Sequence, residues 1–435
     1  MLGKCLIAAL FFCLFGCTHK DDPLTSLPDM SAVRANLAFT CTHEADHLPT
    51  LDPQADLLFK YARFLQNADG PKNFNDIARY YRIAAAHGHY KANQNAQLLI
   101  SQGMADSPDA PKESISLASQ LVEQGIPGGY YDIGHYLEIG YGLKQDPELS
   151  LRYFRKAADL GNPEAQGYVG DLLSPHDKAP EIARQMRQCA VDQGYGKTAG
   201  SLGVNLKNDD LQADAVRVFQ KGVESGDAQS ASFLGNGFKG PPQSDRLYYL
   251  ALPNDPERTH RYEQIGNFLD DNEGRNPKVP DIDKIVPLPP AKLPPWDGTF
   301  QWEKERAAAV PPQKPSDELI DRLSKEKNLD PATGLPLAGS SSKTSQNEQP
   351  ANVATRVPLG TVAQTGEQCP EEGVWCAKLE AGQIGDAQRR FLKGDTLPSI
   401  VVHEPRKVAL LDRWIGTRQH LAKVEWQLVA YSDQA

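Results

Sequence analysis

Residues 129–165 read Gly129-Tyr130-Tyr131-Asp132-Ile133-Gly134-His135-Tyr136-Leu137-Glu138-Ile139-Gly140-Tyr141-Gly142-Leu143-Lys144-Gln145-Asp146-Pro147-Glu148-Leu149-Ser150-Leu151-Arg152-Tyr153-Phe154-Arg155-Lys156-Ala157-Ala158-Asp159-Leu160-Gly161-Asn162-Pro163-Glu164-Ala165. Gly129, Ile133, Gly134 and Leu137 set small and apolar residues at helical spacing, and the pattern breaks at Gly140 and Gly142. Asp146 is placed as an N-cap, because its carboxylate can accept from the free amides of the next turn. Pro147 suits the first helical position, and Gly161 can end the helix in the left-handed region. Leu149, Tyr153, Phe154, Ala157 and Ala158 form the apolar stripe between them. This is one helix–loop–helix unit.

A helix pair of this length cannot bury both its faces, so it needs neighbours. The ending of its second helix, Ala157-Ala158-Asp159-Leu160-Gly161, has counterparts that finish at Gly88, Gly125, Gly194 and Gly226. Successive intervals are 37, 36, 33 and 32 residues. A period in that range indicates a stacked helical solenoid in which each repeat covers the next. The chain is therefore mainly α. Earlier helices begin near residue 51, with Ala55, Leu58, Tyr61, Ala62 and Leu65 on one face; after Gly240 the period decays into a terminal helix pair at residues 247–250 and 261–269.

The combination Ile133-Gly134, Gly140-x-Gly142, Asp146, Tyr153-Phe154-x-Lys156-Ala157-Ala158 and Gly161-Asn162 resembles the Sel-one-like repeat family, short relatives of tetratricopeptide repeats. A longer arrangement, from Phe39-Thr-Cys41-Thr-His43-Glu44-Ala-Asp46-His47 through Leu293-Pro-Pro-Trp296-Asp-Gly-Thr-Phe300-Gln-Trp302 to Leu329–Leu337, is similar to proteobacterial repeat lipoproteins. Some of these are encoded beside lipase effectors of type VI secretion and protect against them. The resemblance thus implies an immunity protein with one secreted partner, a phospholipase effector. In such solenoids the variable positions of each first helix line the inner surface. Here they are Tyr131, Asp132, His135, Tyr136 and Glu138, a mixed aromatic and acidic set suited to protein contact; the plainer reading is a solvated helix face.

Residues 1–17 form a targeting segment: Lys4 supplies the charge, residues 6–15 the apolar core, and Leu14-Phe15-Gly16-Cys17 resembles a bacterial lipobox. Lipidation at Cys17, with Thr18 following, implies an outer-membrane lipoprotein whose body lies in the periplasm, tethered by the polar residues that follow; an ordinary secretory signal is the alternative. Residues 18–50 are then tether and N-terminal cap, 51–275 the solenoid, 276–335 a proline-rich strap ending in a short amphipathic helix, and 336–352 a flexible linker. Residues 353–435 change grammar to short apolar runs at strand length, giving a small β-rich module with a helix near 408–415 and a basic cluster of Arg389, Arg390, Lys393, Arg406 and Lys407.

An oxidising compartment favours disulfides. Beyond Cys17 the chain holds Cys41, Cys189, Cys369 and Cys376. Cys369 and Cys376 flank a turn-like stretch and are expected to bridge locally, leaving Cys41 and Cys189 as a second pair or as buried thiols.

The charge of −10 over 435 residues argues against nucleic acid. His43-Glu44-Ala45-Asp46-His47 matches the H-E-x-x-H zinc pattern, but Pro49 disfavours helix at Leu48 and no third ligand follows at a recognisable spacing. Stoichiometric zinc would reverse that reading. Gly194-Tyr195-Gly196-Lys197-Thr198 looks like the end of a phosphate loop, yet the required first glycine is Val191 and no strand precedes it. No nucleophile–base pair, metal set or cofactor loop remains. The reading is a non-enzyme without cofactor or small-molecule substrate; an envelope scaffold is the alternative to an immunity protein.

Overall fold

A computed structural model of the chain describes residues 37–176, 178–337, 356–404 apart from 382, 384 and 386, and 418–431. Cys17, most of the linker, Arg406, Lys407 and the helix expected near 408–415 lie outside them.

Twelve helices build six consecutive pairs. They are α1 (Pro53–Asn67) with α2 (Phe74–Ala86), α3 (Tyr90–Ser101) with α4 (Ala110–Glu123), and α5 (Pro127–Ile139) with α6 (Pro147–Asp159). These are followed by α7 (Pro163–Leu173) with α8 (Pro180–Asp192), α9 (Lys197–Asn208) with α10 (Gln212–Glu224), and α11 (Ala228–Gly237) with α12 (Pro256–Asp271). The expected cap is present: the Leu149 amide donates to Asp146 Oδ1 at 3.0 Å, and Gly161 follows α6 at φ +97°.

What brings the two helices of a pair together is a missing side chain. A Cβ on Gly134 would lie 2.7 Å from the Phe154 ring, and one on Gly203 would lie 2.4 Å from Phe219. Both phenyl rings are fully buried in that space. In the α7–α8 pair the equivalent contact is Gly170 against Arg187. Arg187 is itself buried, and donates to Asp171 Oδ1 at 2.6 and 2.9 Å and to Asn205. A paired guanidinium thus substitutes for the aromatic ring.

The terminal helix pair is only half as expected. Residues 246–248 form a turn and 249–250 are irregular, because Asp245 Oδ1 accepts from the amides of Leu247 and Tyr248 and neighbouring prolines leave too little length for a helix. The proline-rich strap packs along the solenoid. Prolines supply acceptors without donors, and buried arginines of α12 provide the missing N–H groups. Arg258 donates to Pro287 O, and Arg261 to Ile285 O at 2.6 Å and Pro294 O at 2.8 Å.

Beyond it, α13 (Ile282–Ile285), α14 (Gln301–Ala308) and α15 (Asp317–Glu326) carry the chain back to its first repeats. Ile320 and Leu323 join the core of Ala55, Leu58, Tyr80 and Tyr81, and Arg82 donates to Thr333 O. The cap of the first repeat therefore comes from the far end of the solenoid.

In the C-terminal part, β1 (Val362–Gln364), β2 (Gly373–Lys378), β3 (Gln388–Phe391) and β6 (Glu425–Tyr431) form an antiparallel sheet in the order β1-β6-β2-β3. Strands β4 (Ile400–Glu404) and β5 (Arg418–Ala422) pair separately. The expected Cys369–Cys376 bridge does not form, and both are free thiols. Strand alternation explains this: Trp375 and Ala377 pack with Cys369 in the core, so Cys376 between them points to the opposite face. The sheet docks on α6. Arg390 of the basic cluster pairs with Asp146, Lys156 lies 3.6 Å from Asp395, and the Arg152 guanidinium stands over the Phe391 ring.

Gly134→Val should lower the unfolding free energy by about 2 kcal/mol through overpacking against Phe154. Gly266→Ala, whose added Cβ meets nothing closer than 3.9 Å, should leave it unchanged or raised. Urea denaturation of the two variants checks this, and equal losses would refute the glycine-contact account.

Candidate functional site

The first helices α3, α5 and α7 lie side by side, and the residues expected to meet a partner sit on α5 at their centre. Two of them prove to be joints. Gln97 Nε2 of α3 donates to Asp132 Oδ2 at 3.2 Å, while Tyr136 Oη donates to Gln97 Oε1 at 2.9 Å. Asp132 and Tyr136 are therefore committed to holding α3 against α5.

The other three face α7. His135 Nδ1 and Glu138 Oε2 are 3.1 Å apart, and the Tyr168 hydroxyl of α7 donates to Glu138 Oε1. The His135 ring stands edge-on to Tyr131, Phe154 and Tyr168 at centroid distances of 4.6, 4.7 and 5.6 Å. The His135 and Glu138 side chains remain 36% and 37% exposed, enough to meet a partner. Tyr131 is half-buried against Phe154.

Three further residues extend this face: Glu164 and Tyr168 on α7, and Tyr195 before α9. The signal for the α7 pair is visible in retrospect, because Pro163 aligns with Pro127 and makes α7 the repeat equivalent of α5, with Tyr168 at the position of Asp132.

The electrostatics are those of carboxylates crowded by protein. Burial pushes the Asp132 carboxyl up to about 7, and Glu164 adds to the rise. Glu164 is open to solvent on one side but desolvated by the protein around it, which raises its pKa against the opposing pull of Lys197 and His135. Burial and the hydrogen bond to Glu138 push Tyr168 up to about 12.

Residues 37–48 cross the turns that lead into these helices. Arg155 donates to Ala38 O at 2.8 Å, Gln166 Nε2 to Thr42 O at 3.0 Å, and the Glu44 amide to Gln193 Oε1 at 2.9 Å. A Cβ on Gly161 would lie 2.5 Å from the His43 carbonyl carbon, so only glycine admits the crossing. Cys41 and Cys189 form a disulfide.

The H-E-x-x-H motif is not a zinc helix. Glu44–His47 is one 3-10 turn, His43 precedes it in extended conformation, and Leu48 after it is extended, as Pro49 requires. Glu44 instead accepts from Asn162 Nδ2 at 3.0 Å, and the nearby Gly128 amide favours its charged form. Helix α5 has Ile126 at its N-cap, which offers no side-chain acceptor. The motif's glutamate thus places a negative charge at that helix N-terminus from another part of the chain.

Residues 127–162 match the Sel1 repeat model, and residues 230–337 match a domain of unknown function, DUF6396. The immunity protein Pa5087 from Pseudomonas aeruginosa is 30% identical, with 58% of this chain and 95% of that one aligned at a TM-score of 0.48. The immunity protein PA5088 from the same organism is 29% identical over 58% and 94%, with a TM-score of 0.49. A Sel1 repeat protein from Oxalobacter formigenes is 17% identical over 49% and 87%, with a TM-score of 0.39.

The chain belongs to the Sel1-repeat family. The Sel1 match covers the α5–α6 pair on which the candidate face is built, and the DUF6396 match covers α11, α12 and the returning strap. Binding to a protein partner is the function class these relationships indicate.

A Sel1-repeat face built this way should carry a pH signature. The unfolded Asp132 releases its proton near pH 4 and the folded one near 7. Between those values the folded state holds the extra proton, so rising pH costs stability. Asp132→Asn should therefore gain on the parent by about 1–2 kcal/mol between pH 5 and pH 8, after allowance for solvent screening. Parallel stability profiles in urea would contradict it.

Proposed function

We propose that this protein is a periplasmic, lipid-anchored immunity protein that binds and blocks a secreted phospholipase effector of a type VI system, with Cys17 as the anchor point. The observation that carries the reading is the face formed by Tyr131, His135, Glu138, Glu164 and Tyr168. Aromatic rings give it contact area at low entropy cost, and partly desolvated carboxylates give it negative potential. An enzyme that binds anionic phosphodiesters needs a positive groove, and a surface of opposite sign steers toward such a groove and fills it. The named immunity proteins of Pseudomonas aeruginosa, related along nearly their whole length, support the same reading.

The test is to express the tagged, non-acylated chain in the periplasm of its own bacterium and identify what co-purifies by mass spectrometry. One stoichiometric hydrolase is expected, with its phospholipid cleavage inhibited by the protein. Glu138→Lys with Glu164→Lys should weaken that inhibition by about 100-fold, in the range of lost charge pairs at interfaces. A spread of envelope proteins, or a hydrolase left fully active in the complex, would count against the proposal.

A further inference from the structure

We propose that Cys41, His43 and Cys189 form a redox-gated metal site: a disulfide when oxidised, and ligands to a thiophilic d10 cation such as Zn2+ when the bridge is reduced. Their donor atoms, two sulfurs and an imidazole nitrogen, lie within 4.8 Å of one another. Zinc bound at about 2.3 Å to sulfur and about 2.0 Å to nitrogen needs donors roughly 3.5 Å apart. Parting the sulfurs and bringing in the ring therefore takes side-chain movement alone.

The backbone already presents the ligands together. His43 is extended, at φ −102° and ψ 137°. Along an extended segment, side chains two residues apart lie on one side, so Cys41 and His43 face Cys189 of α8 jointly. His47, the other histidine of the sequence motif, is not part of the cluster.

The bridge is also not the only thing holding the segment down. Gln166 grips Thr42 O, between the two surface ligands, and Glu44 is tied to Gln193 and Asn162. Breaking the S–S bond therefore leaves two thiols in place rather than releasing the chain. Cys41 and His43 are exposed, which gives a cation entry and leaves water to complete the coordination; Cys189 closes the site from below.

The chemistry balances with a dithiol or phosphine as reductant. A dithiol gives two electrons and two protons to the bridge and becomes a disulfide itself; a phosphine gives the two electrons, takes the oxygen of a water molecule to become its oxide, and leaves that water's two protons on the sulfurs. The cation then displaces both thiol protons and takes the neutral imidazole as third ligand.

Co2+ is the probe, added to the purified full chain after phosphine reduction and chelator treatment. The expected result is one equivalent bound, with thiolate-to-cobalt absorption, and none in the oxidised chain. His43→Ala, at an exposed position that leaves the fold intact, should weaken binding by about 10-fold or more. A chain carrying Cys369→Ser and Cys376→Ser should bind as the parent does. No thiolate absorption after reduction, an unchanged affinity in His43→Ala, or loss of the signal with Cys369 and Cys376 would overturn the proposal.

Discussion

The contact between a glycine on the first helix and a buried ring on the second, Gly134 with Phe154 and Gly203 with Phe219, is the constraint on which the rest of this structure depends. Side chains at either glycine would force the two helices apart, and the close packing that buries each ring would be lost. Its consequence reaches the surface. With Phe154 drawn under α5, His135 meets its ring edge-on and Tyr131 at a tilt, and Tyr168 arrives at 4.6 Å from the same ring to bond Glu138. The candidate binding face is thus the outer layer of a core contact. That gives it a rigidity that loops would lack.

A stack of repeats leaves an apolar face at each end, and both are closed by chain from elsewhere. Phe300, Ile282 and Ile285 of the strap cover the last repeats, and α15 covers the first. Segment 37–48 adds a third tie across the middle, fastened by the Cys41–Cys189 disulfide and by Glu44 at the N-terminus of α5. The face on α5 and α7 is therefore flanked by elements that hold its helices in register. The β-sheet adds a further tie through Arg390 to Asp146, the N-cap of α6.

Much of this was legible from local chemistry. Asp146, Pro147 and Gly161 announce their helix because capping needs only neighbours in sequence. The period announces stacking, and the Pro49 signal against a zinc helix at residues 43–47 rests on one proline. What escaped the sequence depends on distant partners. Nothing near Asp132 or Tyr136 shows that Gln97, 35 and 39 residues away, will consume both. Nothing near Glu44 shows that Asn162, 118 residues on, will take its carboxylate. The Cys369–Cys376 expectation failed because seven residues of spacing say nothing of which side of a strand each thiol faces.

The first helices of the middle repeats, and not the docked sheet or the second helices, are the surface expected to meet the protein partner. Amide hydrogen exchange of the complex against the free protein addresses it most directly. New protection is expected in Pro127–Ile139 and Pro163–Leu173. Protection confined to the strands between Val362 and Tyr431, with those two helices exchanging as before, would contradict it.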